Sequence, residues 1–110
     1  MTRVSLERNG VRYSVKAIGH ADTEQMCAAV SCLLYTLDGW LHNANVTIIN
    51  ERMEPGDACL EWVMDTDSDV WGMIEIGFLQ LRQSTQSMSV EICEKSCETD
   101  AGFEKTDVTM

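Results

Sequence analysis

Two runs in which apolar and polar residues alternate, Val4 to Arg8 and Val11 to Ile18, flank Asn9-Gly10, and no other stretch leaves the backbone so little choice. Asn-Gly supplies two residues that tolerate positive φ, as a type I′ turn requires, so the segment is expected to form a β-hairpin with Asn9 and Gly10 as its loop. That loop fixes a register. Leu6 should face Tyr13 and Val4 should face Val15 on one side, with Arg8 opposite Val11 and Glu7 paired to Arg12.

An apolar sheet face needs a cover, and the next segment provides one. Asp22-Thr23-Glu24-Gln25 has the pattern of a capping box, with Asp22 as the expected N-cap and Gln25 reaching back. Met26, Val30, Leu33, Leu34, Leu37 and Leu41 then recur at helical spacing, and Gly39 is the expected C-terminal cap. A second hairpin follows, Val46 to Ile49 leading through the Pro55-Gly56 turn to Ala58–Met64. The acidic run Asp65 to Asp69 offers N-caps for a helix with Val70, Ile74, Phe78 and Leu81 on one side, running to about Gln83. Ser87 to Cys93 alternates, as a half-buried strand should. The expected fold is α+β, in the order β-β-α-β-β-α-β: a mostly antiparallel five-stranded sheet with two helices on one face. Residues 1–93 form the expected domain; residues 94–110, with Phe103 and Val108 as their only sizeable apolar side chains, are expected to be a mobile acidic tail.

The length of 110 residues suits one domain. No apolar run approaches the roughly 20 residues that span a bilayer. The first residues carry no apolar signal segment, so the expected location is the cytoplasm. A net charge of -10 argues against nucleic acid, which needs a basic surface. Arg3, Arg8, Arg12 and Lys16 crowd into the first hairpin, while the body beyond Ala17 is acidic and would steer a basic peptide toward itself. The five cysteines are read as thiols rather than disulfides, and none has the spacing of a zinc knuckle, so neither metal nor cofactor is expected.

Chemistry concentrates where the first hairpin meets the first helix. Gly19-His20-Ala21 places an imidazole at a strand end, and Cys27 follows in or just beyond the first helical turn. The thiolate is the nucleophilic form of cysteine, and a helix N-terminus and a neighbouring imidazole both favour it. First-turn backbone amides could receive a developing oxyanion. The competing reading makes Cys27 a small buried hydrophobe. Ser31, one turn on, could hydrogen-bond near the site or bond back to the Cys27 carbonyl. His42 reads as a structural cation at a helix end. Cys27 and Cys32 lie more than a helical turn apart, which argues against a redox pair.

Gly19-His20-Ala21 followed by Cys27-Ala28-Ala29-Val30-Ser31, set between a hairpin and a helix, resembles the ribosomal-processing cysteine protease (Prp, YsxB-like) family. The resemblance extends in layout from Val4 to Cys93. It implies His20 and Cys27 as the catalytic pair and a cytoplasmic homodimer that trims a short N-terminal extension from a ribosomal protein or acts on phage proteins. Family members carry a longer, glycine-containing loop between the two motifs, with an aspartate three residues before the cysteine. Here the connection is Ala21 to Met26, and Glu24 stands at the aspartate's place. The alternative expectation is therefore a non-catalytic, dimeric binding or scaffold protein of the same fold. The presence of Trp40, Trp62 and Trp71 in so small a chain adds an expectation of a dimer interface.

Overall fold

A computed structural model describes residues 1–65 and 68–95 of the chain. The elements are β1 (Thr2–Asn9), β2 (Arg12–Ile18), α1 (Glu24–Asn43), β3 (Thr47–Glu54), β4 (Asp57–Val63), α2 (Val70–Gln83) and β5 (Met88–Lys95). The five strands form one sheet in the order β3-β4-β2-β1-β5, antiparallel except where β5 runs parallel to β1. This is the α+β order expected. β5 extends two residues past Cys93, and the rest of the expected tail, 96–110, lies outside the described residues.

The first hairpin forms with a register shifted from the expected one. Asn9 pairs with Arg12, Leu6 with Val15 and Val4 with Ala17, so Gly10 and Val11 make the loop. Gly10 has φ 66. Glycine enters that left-handed region at little steric cost, which suits it to the first position of the loop. Because the shift is even, each side chain keeps its face while its partner changes. Arg8 now lies opposite Tyr13, its guanidinium 5.1 Å from the ring centroid. Arg12 pairs with Glu61 of β4 at 3.5 Å rather than with Glu7, and half-exposed pairs of this kind contribute little.

Val4, Leu6, Tyr13, Val15, Ala17, Ala58, Leu60 and Trp62 are buried on the sheet face that the helices cover. From α1 they meet Val30, Leu34, Leu37 and Leu41, and from α2 Trp71, Ile74 and Phe78. Trp62 is stacked on Tyr13 with centroids 5.5 Å apart, and Trp71 meets both rings edge-on at 5.2 and 6.1 Å. Trp40 is partly buried against the same core. The core thus accommodates all three tryptophans, which removes them as an argument for an interface.

The ends of α1 correct two expectations. Its N-cap is Thr23, in extended conformation, with Oγ1 accepting the Met26 amide at 3.1 Å; the cap falls one residue later than Asp22. Gly39 does not end the helix, which continues to Asn43. A glycine inside a helix costs about 1 kcal/mol, whereas burying Leu41 gains about 2 kcal/mol. The last turn also brings His42 to Glu51 of β3, with Nε2 and Oε2 2.6 Å apart. A bulge between Ile48 and Asn50 shifts the register of β3, placing Glu51 and Met53 opposite Leu60 and Ala58 and so on the helix-covered face. Hydrogen bonding to Glu51 raises the His42 pKa, consistent with a structural cation at the helix end.

At the other edge, Trp71 Nε1 donates to Glu94 at 2.9 Å. Burial, and then the hydrogen bond and charge of Glu94, push the Glu75 carboxyl up to about 7. The hydrogen bond from Glu75 holds Glu94 below its ordinary value. The folded chain therefore keeps a proton on Glu75 that the unfolded chain releases near pH 4.5, so this contribution is complete below that pH and is lost as pH rises toward about 7. Glu94 acts in the opposite sense, at lower pH. Urea denaturation should show the protein losing about 1 kcal/mol from this pair between about pH 5 and pH 8, after allowance for solvent screening. Glu75→Gln keeps a donor toward Glu94 and should flatten that decline; the remainder comes from Asp38, which burial pushes up to about 6, and from His42, which its hydrogen bond to Glu51 raises above the ordinary imidazole value. Equal slopes for the two proteins would contradict the pairing.

Candidate active site

β2 ends at Ile18, paired with Asp57 at the start of β4, and the ladder gains one further bond in Gly19 N–H to the Gly56 carbonyl, 2.9 Å. This pairing carries the β3–β4 turn to the strand end that bears His20. Gly19 adopts φ 96 and Gly56 φ 72, both in the region that favours glycine. From Gly19 the chain crosses in four residues to the Thr23 cap, and α1 then starts beneath the turn.

His20, Cys27 and Ser31 all line one cleft of about 250 Å³ between the start of α1 and the β3–β4 turn. Its floor is apolar, from Ala17, Val30, Leu34, Met53 and Ala58, and Tyr35 stands at its side. Glu54 and Asp57 are its charged lining residues, with no lysine or arginine among them. Asp57 is paired with Arg52 at 2.9 Å, which leaves Glu54 as the acidic group facing the cleft without that compensation.

Cys27 is the fourth residue of α1 and is half-buried. Its sulfur donates to the Ala21 carbonyl at 3.8 Å, and it is this carbonyl rather than the His20 ring that holds the thiol. The Cys27 amide donates to the Thr23 carbonyl at 3.0 Å and the Met26 amide to Thr23 Oγ1. The expected oxyanion donors therefore narrow to the Glu24 and Gln25 amides, which precede the first intrahelical bond. Ser31 is exposed and makes no hydrogen bond back to the helix of the kind that Thr36 Oγ1 makes to Cys32 at 2.7 Å, so its hydroxyl faces the cleft uncommitted.

Among the described residues, the other cysteines stand apart from the cleft. Cys59 is buried on the far face of the sheet, where desolvation pushes its thiol up and away from reactivity. Cys32 and Cys93 are exposed. Among the described residues, Asp38, His42 and Glu51 bring ligand-type atoms within 4.8 Å of one another, but at the far end of α1 and joined by their own His42–Glu51 bond. Among the described residues, no helix is long and apolar enough to cross a membrane.

The residues missing from the sequence-based site are those of the β3–β4 turn, Glu54 to Asp57. Pro55-Gly56 announces a turn, but only the pairing of β2 with β4 brings that turn beside His20, and nothing local encodes it.

Element order and sheet topology define the class at the level of fold, an α+β domain shared with the Prp structures. Among solved structures, the Staphylococcus aureus ribosomal processing protease Prp with a substrate peptide superposes with a TM-score of 0.65 at 15% identity, covering 84% of this chain and 99% of that one. The same protease with a covalently linked product peptide gives 0.63, with the same identity and coverage. SMU.848 from Streptococcus mutans gives 0.61 at 19% identity, over 86% of this chain and 96% of that one. No protein-family model and no curated protein matches the chain in sequence. The likeness is one of fold, and at that level the resemblance carried by the His20 and Cys27 motifs is met.

Proposed function

We propose that the chain is a Prp-like cysteine endopeptidase that removes a short N-terminal extension from a ribosomal or phage protein. The observation that carries this reading is the meeting of His20, Cys27 and Ser31 in one cleft, on the fold of a protease solved in complex with a substrate peptide and with a product peptide. Cys27 Sγ, releasing the Ala21 carbonyl, passes its proton to His20 and attacks the scissile carbonyl. The C–N bond then breaks as His20 protonates the leaving amine, and water, deprotonated by His20, hydrolyses the thioester. The Glu24 and Gln25 amides face the developing oxyanion. Catalytic hydrogen bonds commonly tighten only when substrate is bound, so a thiol held by Ala21 in the free protein is compatible with this sequence of steps.

An apolar floor with Glu54 at the rim suits a segment of mixed apolar and basic side chains, and the acidic body favours its approach. A cytoplasmic homodimer is the assembly the resemblance implies. Met73 and Ile76 on α2 are among the exposed apolar side chains that could serve it, and sedimentation at micromolar concentration checks it.

The test is incubation with candidate precursor proteins, wild type beside Cys27→Ala and His20→Ala, read by mass spectrometry. Cleavage by wild type should fall at least about 100-fold in either variant. Cleavage that persists in Cys27→Ala overturns the assignment. A wild-type protein that binds the precursor and leaves it intact would instead support the non-catalytic scaffold of the same fold, the reading favoured by the short connection from His20 to Cys27.

A further inference from the structure

We infer that Gly56 is a positioning residue: its bare α-carbon seats the His20 imidazole, so the β3–β4 turn, rather than the short segment between His20 and Cys27, sets where the base stands. The inference rests on the reading of His20 as the base of the site.

A Cβ added to Gly56 would lie 2.6 Å from His20 Nε2, 2.9 Å from Cε1 and 3.2 Å from Cδ2. The ring therefore lies flat against the turn, in space that only glycine leaves open. His20 is exposed, and none of its ring nitrogens is fixed by a hydrogen bond to another described side chain, so packing on Gly56 is what locates it.

The two partners differ in how far they can yield. The turn is held by the Glu54 and Asp57 pair, by the ring of Pro55 and by the 2.9 Å bond from Gly19 to the Gly56 carbonyl. An exposed imidazole has other rotamers within reach at small cost. A side chain at 56 would therefore displace the histidine and leave the turn where it is. That makes the effect one on the site rather than on the fold. The connection Ala21 to Met26 contains no glycine, and its hydrogen bonds go to the cap and the thiol, so it offers the ring no comparable seat.

The test compares Gly56→Ala and Gly56→Asn with Gly10→Ala. Gly10 also has positive φ, 66 against 72 for Gly56, but lies at the opposite end of β2, so Gly10→Ala reproduces the backbone strain without a histidine neighbour. Asparagine tolerates positive φ better than alanine while carrying the same Cβ, which guards against loss of folding. Two readouts are taken: the ring resonances of the two histidines, with His42 as internal reference, and the pH profile of Cys27 alkylation by iodoacetamide, resolved by peptide mass spectrometry.

Both Gly56 variants should shift the His20 resonances, leave those of His42 unmoved and bring the Cys27 profile onto that of His20→Ala. Gly10→Ala should match wild type in both. Wild-type His20 resonances in the two Gly56 variants would overturn the inference. If His20→Ala itself leaves the Cys27 profile unchanged, the dyad reading fails, while the resonances still decide the seat.

Discussion

Replacing Trp62 with alanine should lower the urea midpoint by about 3 M, the result of losing about 4 kcal/mol from a domain that holds about 5 to 15 kcal/mol in all. Trp62 has 0% of its surface exposed and sits where β4, β2 and α2 meet, stacked on Tyr13 and capped by the edge of Trp71. Truncation removes the largest fully buried side chain and leaves a cavity bounded by two aromatic rings, which cannot collapse without moving a strand and a helix together. Among the described residues Trp62 Nε1 has no hydrogen-bond partner, so the indole contributes through area and shape and bears a desolvation cost. Trp62→Phe should accordingly cost only about 1 to 2 kcal/mol, since it shrinks the ring but removes the unpaired donor. Equal losses in the two variants would show that the cluster is held by something other than ring packing.

Gly19→Ala is expected to cost about 3 kcal/mol and to disturb the site as well. At φ 96 an alanine is strained whatever surrounds it, and its Cβ would collide with the Met1 carbonyl oxygen and stand 3.3 Å from the carbonyl carbon. Those are backbone atoms, so relief requires the start of β1 to move, together with the Thr2 N–H to Ser87 bond that ties β1 to the approach of β5. Gly19 also donates to Gly56 and precedes His20, so the same shift carries the histidine away from the cleft. Chemical denaturation and the Cys27 alkylation rate should both fall. A fully stable Gly19→Ala with unchanged alkylation would contradict the close approach of Met1 to the strand end.

The two predictions differ in what they tax. Trp62 acts on the shared core of sheet and helix, and its variants report on stability alone. Gly19 lies where the sheet ladder runs out and the cleft begins, so its variant reports on both.

Much of this molecule is legible along the chain because the relevant physics is local. Alternation from Val4 to Ile18, the Pro55-Gly56 turn, and helical spacing in α1 and α2 each depend on neighbours within a few residues. From them follow the element order, the buried faces, and the placing of His20 at a strand end and Cys27 near a helix start. Local signals misplace details where two local solutions are nearly equal. Asn9-Gly10 and Gly10-Val11 both make two-residue turns, and in the completed sheet the loop is Gly10-Val11, with Arg8 over the Tyr13 ring. Asp22 and Thr23 are both good caps, and Gly39 would end an isolated helix, but Leu41 finds a core beneath it and His42 finds Glu51.

The sequence by itself determined the two candidate site side chains, His20 and Cys27, the elements that carry them and the face each element buries, since turn chemistry and hydrophobic period act at short range. The cleft is a product of tertiary structure. The antiparallel pairing of β2 with β4 joins residues about 40 positions apart in sequence, through Ile18 and Asp57, and its register is set by burial summed over whole strands. That pairing carries Gly56 under the His20 ring and closes the cleft over Cys27 with a turn that no local pattern connects to either residue.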